Sequence, residues 1–364
     1  MCEEAAEKGD LELLKRLRAD QCPWDAGVCS SAARGGHLEV LQWARKKGCQ
    51  WDVLTCVFAA RGGHLNILQW AREQGCPWNE WTCTSAAQEG HLEVLQWARE
   101  HHCPWDMRTC ASAAQKGNLE ILQWARERHC PWDEWTCAFA ASRGHLEVLQ
   151  WAREHHCPWD EHACAFAAEG GHLQVLQWLR EHHCPWDERV CTSIARRGHL
   201  EVLQWARREG CPWDEQIICT VASSQGHLKV LQWLRDNGCP WDANTFAVAA
   251  SGGHLEVLQW VHTNGCPTKP VYFVERTFNM EVLQYLYLND LPFENDSTII
   301  SKRIRQHCLE QTLLGYFSKC ADQCPSDVSA HERALYSSCC DRIGTTLKQI
   351  SIGTDLRGCI WSFL

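Results

Sequence analysis

The chain has 364 residues, of which 45% are apolar and 22% charged, an ordinary make-up for a folded soluble protein. Its net charge of −10 disfavours a nonspecific grip on nucleic acid, which needs clustered positive charge, and equally on an anionic membrane surface. There is no run of about 18 apolar residues to span a membrane, and the acidic start Met1-Cys2-Glu3-Glu4-Ala5-Ala6-Glu7 lacks the basic and apolar regions of a secretory leader, so an intracellular location, cytoplasmic or nuclear, is expected.

One phrase organises the first four-fifths of the chain. It is clearest at Gly144-His145-Leu146-Glu147-Val148-Leu149-Gln150-Trp151-Ala152-Arg153, followed by Cys157-Pro158-Trp159-Asp160. Its histidine position falls at His37, His64, His91, Asn118, His145, His172 and His199, always 27 residues apart. It falls again at His227, one residue late, and at His254, while Asp10 fits the register upstream and Asn279 is a shortened echo. A fixed period of this size means a solenoid, in which each unit buries its apolar face on the next.

In chain order, the first unit opens inside a helix, Cys2 to Gly9, whose polar side chains suit an N-terminal cap. The unit from Glu134 to Asp160 serves as the specimen for those that follow. Asp133 is placed to cap a short helix over Glu134–Ser142, rich in alanine, the best helix former. Gly144 breaks that helix. A second helix is predicted over His145–His156, apolar on a wide arc and solvated at Glu147, Gln150, Arg153 and Glu154. Pro158 ends it, because proline disfavours a helical conformation in the residue before. Of 21 tryptophans, 18 are the two repeat positions in nine units, and they are expected to be buried rivets between layers. The 25 cysteines recur with the unit and are expected as small buried side chains with free thiols, not as disulfides.

The unit resembles an ankyrin repeat. Thr136-Cys137-Ala138-Phe139-Ala140-Ala141 is similar to that family's first-helix motif, Gly144-His145-Leu146-Glu147-Val148-Leu149 to its second, and Gly210-Cys211-Pro212-Trp213-Asp214 to its closing loop. The resemblance covers Met1 to Asn289. The usual ankyrin unit has about 33 residues; those missing here belong to the hairpin finger, and the proline and histidine of the first motif are absent. Truncated arrays of this kind resemble those of protists, algae and giant viruses. The expected fold class is therefore all-α: an ankyrin-like α-solenoid of stacked helix pairs with truncated hairpin loops. Residues 1–290 form the array, about ten units with the last degenerate. Residues 291–364 form a C-terminal cap or a partly disordered tail, with helices expected over Arg303–Lys319 and Ala330–Ile343. Cys308, Cys320, Cys324, Cys339 and Cys340 in that tail lack the paired spacing of a zinc site.

Chemistry is sparse. The triplets His101-His102-Cys103, His155-His156-Cys157 and His182-His183-Cys184 suggest a Cys/His metal-binding array, but Gly48, Gly75, Gly210 and Gly238 replace the second histidine elsewhere, which a ligand does not tolerate. No nucleophile elbow, phosphate loop or dinucleotide fingerprint is present, so neither an enzyme nor a cofactor is expected. The informative positions are those that vary in the fixed frame. One reads Leu54, Trp81, Arg108, Trp135, His162, Arg189, then Gln216 or Ile217, then Asn244; another, in the turn before Gly-His, reads Arg34, Arg61, Gln88, Gln115, Ser142, Glu169, Arg196, Ser224 and Ser251. By the resemblance, the first set falls on the concave side of the array. The function it implies is a non-enzymatic scaffold, monomeric, that holds a protein or peptide partner there through aromatic and arginine anchors. A substrate adaptor whose tail docks on a ubiquitin-ligase-like assembly is the alternative.

Overall fold

Each Pro-Trp-Asp turn ends on a residue that starts the next helix. In the computed structural model, which describes residues 1–215, 217–272, 279–289, 291 and 293–294, the side chains of Asp25, Asp52, Asn79, Asp106, Asp133, Asp160 and Asp187 each accept a hydrogen bond from the amide two residues on. This satisfies one of the amides that every helix start leaves unpaired. The helices so begun are short, among them Val53–Arg61, Glu80–Glu89, Met107–Lys116, Glu134–Ser142 and Glu161–Glu169. A glycine-containing turn follows, then a second helix of nine residues, as in Leu92–Glu100, Leu119–Glu127 and Leu146–Glu154. His145 stands just outside its helix, as the residue preceding it.

The chain divides into two compact units, Met1–Trp241 and Asp242–Leu364; the division falls inside the repeat array. In the first unit, the first helices of successive repeats pack directly on one another from Cys2–Glu7 to Ile218–Ser224, and each second helix packs on its own first helix. Small side chains permit that row: Thr136, Cys137, Ala138, Ala140 and Ala141 are all fully buried, and the distance between packed helices is set by the side chains between them. The second helices add Val148, Leu149 and Ala152 and their equivalents to the core. Each buried Leu or Val contributes about 1.5–3 kcal/mol relative to exposure.

The tryptophans lie outside this core, contrary to the expectation of buried rivets. Both repeat positions are half-buried. Trp132, on the turn of one repeat, meets Trp151, on the second helix of the next, edge to face at 6.0 Å, and the same pairing links Trp51 to Trp70 and Trp159 to Trp178. The Arg126 guanidinium lies 4.0 Å over Trp132 and its Nη1 donates to the carbonyl of Cys130. The reason is geometric: a row of helices spaced by alanine and cysteine has no room for an indole, so the turn lays the ring along the flank as cladding.

The second unit continues the pattern with helices Ala243–Ser251, Leu255–Thr263 and Met280–Leu288. It also holds the one departure from helix among the described residues, a parallel pairing of Val271–Tyr272 with Phe293–Glu294. Residues 295–364, with the expected tail helices and tail cysteines, lie outside the described residues. Among those described, no helix is long and apolar enough to cross a membrane.

Candidate partner-binding surface

The repeated histidine is a rung of the frame. Its ring reaches back to the preceding repeat and Nε2 donates to a carbonyl near the end of that repeat's first helix: His37 to Glu7 at 3.0 Å, His64 to Arg34 at 3.1 Å, His91 to Arg61 at 3.0 Å, His199 to Glu169 at 3.1 Å and His227 to Arg196 at 2.9 Å. A carbonyl that the helix end leaves unpaired is thereby satisfied. Asn118 does the same with its carboxamide, donating to Ala87 at 2.9 Å, which explains why asparagine substitutes there. The ring also demands the preceding glycine. Gly144 has φ +76°, and a Cβ there would stand 2.7 Å from Nδ1 of His172.

The His-His-Cys triplets do not converge. The ring of His155 stacks on Trp151 at 4.2 Å and its Nδ1 donates to the Trp151 carbonyl; His101 and His182 repeat this on Trp97 and Trp178. His102, His129, His156 and His183 sit at φ 59–64°, in the left-handed region. Gly48, Gly75, Gly210 and Gly238 occupy the same place at φ 75–82°, and a Cβ there would meet nothing within 4 Å. Backbone conformation alone separates His from Gly at this position. The cysteine turns inward: Cys157 is fully buried and its thiol points at the carbonyl of Asp133, 3.5 Å away. Hydrogen bonding with Cys137, and then burial, push its ionisation well above the ordinary thiol range. Such thiols stay protonated and act as small apolar groups. Among the described residues, no group of three His, Cys, Asp or Glu side chains is arranged to hold a metal.

The variable position does form a continuous file in the first unit. Leu54, Trp81, Arg108, Trp135, His162 and Arg189 each stand second in a first helix, 27 residues apart. Leu54, Trp81 and Trp135 are 44%, 45% and 37% exposed, high for side chains of this size. Three adjacent pairs in the file touch. Arg108 lies 4.4 Å over the Trp81 ring; the Trp135 and His162 rings are 5.3 Å apart; Arg189 approaches Nε2 of His162 at 3.4 Å. Gln216 lies outside the described residues, while Ile217 is 48% exposed. Asn244 belongs to the second unit, where it is exposed and bonds Asp242 and Lys269.

Two sets of residues escaped the sequence reading. Phe58, Phe139 and Phe166 lie one helical turn beyond the file and extend it: the Phe139 and Phe166 rings stack at 6.3 Å, and Trp135 meets both at 5.6 and 6.0 Å. Spacing four residues from the varied position places a side chain on the same helix face, so the alternation of Phe with Ser at this position was the available signal. Glu80, Glu134 and Glu161 open the same helices, and their partners become apparent only with the repeats stacked. The second varied set is part frame: the backbone carbonyls of Arg34, Arg61, Glu169 and Arg196 hold the histidine rungs, while the Arg34 guanidinium covers Phe58 at 4.0 Å.

Stacked helix pairs locked by Gly-His turns define an α-solenoid repeat protein. Residues 137–180 match the family model described as ankyrin repeats in many copies. The same unit recurs on both sides of that match, and over those residues the chain is similar to ankyrin repeats, with shortened loops. Among solved structures, the crystal structure of the human ASB11 ankyrin repeat domain is similar over 43% of this chain and 84% of that one, at 14% identity and a TM-score of 0.36. No curated protein matches the chain.

Proposed function

We infer that this array, like ankyrin repeats in general, serves as a protein–protein interaction scaffold. We propose that this array holds a protein or peptide partner along the open file from Leu54 to Arg189, the row of first helices that is concave in ankyrin arrays by resemblance. The observation that carries this reading is the exposure of Trp135, and of Trp81 even beneath the Arg108 guanidinium, in a repeat whose other tryptophans are half-buried against arginine and neighbouring indoles. Aromatic and arginine side chains in one contiguous strip are the usual anchors of interfaces.

Changing Trp81, Arg108, Trp135 and Arg189 together to Ala tests it. These are surface positions, each expected to alter stability by less than about 0.5 kcal/mol. Helical circular dichroism and melting are expected to stay close to those of the parent chain, while partners recovered by affinity purification are lost. Recovery of the same partners by the quadruple variant would place the binding surface elsewhere.

A further inference from the structure

The file contains one cation site built twice and filled once. In the first copy, Glu80 and Trp81 come from one repeat and Asp106 and Arg108 from the next. The Arg108 guanidinium lies 4.4 Å over the Trp81 ring, 3.8 Å from Glu80 and 2.7 Å from Asp106. Two repeats later the same framework returns as Glu134, Trp135 and Asp160, with His162 where the arginine stood. Arg189 in the following repeat restores the ion pairs alone, 2.8 Å from Glu161 and 2.7 Å from Asp187, with His162 standing where the box has its tryptophan.

His162 does not replace the missing guanidinium. Its Nδ1 donates to Asp160 at 2.8 Å, and its Nε2 faces Nη1 of Arg189 at 3.4 Å, where it accepts. Both ring nitrogens are thus engaged, and neither turns to Glu134. Glu134 has no ion-pair partner among the described residues, although its equivalents Glu80 and Glu161 each have an arginine. Beside it, Trp135 is 37% exposed and backed by the stacked Phe139 and Phe166. Burial, and next the Glu134 charge, raise the Asp133 carboxyl above its ordinary value.

We propose that the Glu134–Trp135 pocket receives the guanidinium of an arginine on the partner protein, completing from outside the box that Arg108 completes from within. The aromatic face supplies cation–π attraction and the carboxylate a charge-assisted hydrogen bond. An apolar side chain beside that arginine would lie against Phe139 and Phe166. This rests on the file being the partner surface, but it has its own test.

The full chain, labelled with 15N at the tryptophan indoles, is titrated with arginine amide and with its uncharged isostere citrulline amide. Arginine amide is expected to shift the Trp135 signal at tens of millimolar and citrulline amide to leave it in place. Glu134→Gln should weaken the response about tenfold with unchanged helical signal, and His162→Arg should abolish it by filling the box. Arg108→Ala should make the previously silent Trp81 respond. Equal shifts with both amides, an unaltered response in Glu134→Gln, or a Trp81 that stays silent in Arg108→Ala would overturn the proposal. If the quadruple variant loses its partners while Trp135 ignores arginine amide, the surface stands and only the guanidinium pocket falls.

Discussion

The same side-chain type does two jobs within ten residues of one repeat. His145 precedes the second helix and His155 follows it; His156, next to His155, is held at φ 64°. A left-handed conformation costs a non-glycine residue about 1–2 kcal/mol. His156→Gly is therefore expected to raise the urea midpoint, stabilising the chain by about 1 kcal/mol, and His102, His129 and His183 should behave alike. The rung histidine responds in the opposite sense. His199→Asn should be tolerated, as Asn118 shows in its own repeat, while His199→Ala strands the Glu169 carbonyl and costs about 1 kcal/mol. Equal losses for Asn and Ala in equilibrium unfolding would remove the rung from the account. The repeated histidine was visible in the sequence; its partner 30 residues back was not, because a hydrogen bond between stacked layers leaves no local signature.

At the level of the helix pair, two apolar inventories serve different purposes. Ala140, Ala141, Cys137 and Leu149 fill the seam, and the tryptophans cover it from the side. Leu149→Ala is expected to cost about 2–5 kcal/mol, the range for a buried leucine. Trp151→Ala should cost about 1–3 kcal/mol, since a half-buried ring loses part of its area and one edge-to-face pairing. Chemical denaturation of the two variants checks the order, and a larger loss for Trp151 would return the indoles to the core. Helix positions were readable almost to the residue, because Asp133 and Gly144 punctuate the chain by backbone chemistry alone. The depth of each tryptophan was not, because residue size predicts how much area can be buried but not whether the space exists. The binding file was half legible. Variation at Trp81 and Arg108 marked it, whereas Phe139 and Glu134 needed the neighbouring repeat in place.

From Cys103 to Cys211 the turn thiols act alike, whereas hydrogen bonding with Cys29, Cys56 and Cys219 lowers the pKa of Cys49, Cys76 and Cys239. Cys103, Cys130, Cys157, Cys184 and Cys211 are fully buried, and each is pushed above the ordinary thiol range by hydrogen bonding with a neighbouring cysteine and then by burial. An acid whose folded pKa is raised holds its proton more tightly in the native state. Its contribution is complete below the unfolded thiol value of about 8.5 and declines as pH rises above it. Melting temperature is therefore expected to be flat near neutrality and to fall steeply above about pH 9; a flat profile to pH 10.5 or so would contradict this. Exposure varies as well. Cys22 is half-buried where the other described cysteines are buried, so brief alkylation of the native chain should label it first among them by peptide mass spectrometry.

One departure from the period has its own outcome. The extra residue before His227 leaves the helix Ile218–Ser224 seven residues long, opening at Ile217 with no side-chain cap, where Asp133 and its equivalents open helices of nine or ten. A ladder of near-identical layers yields where one link is shorter than its fellows. In deuterium, the amides of Cys219–Ser223 should exchange well before those of Cys137–Ala141, and a trace of protease should find its first cut there. One inserted residue thus leaves a perforation line in an otherwise regular stack of copies.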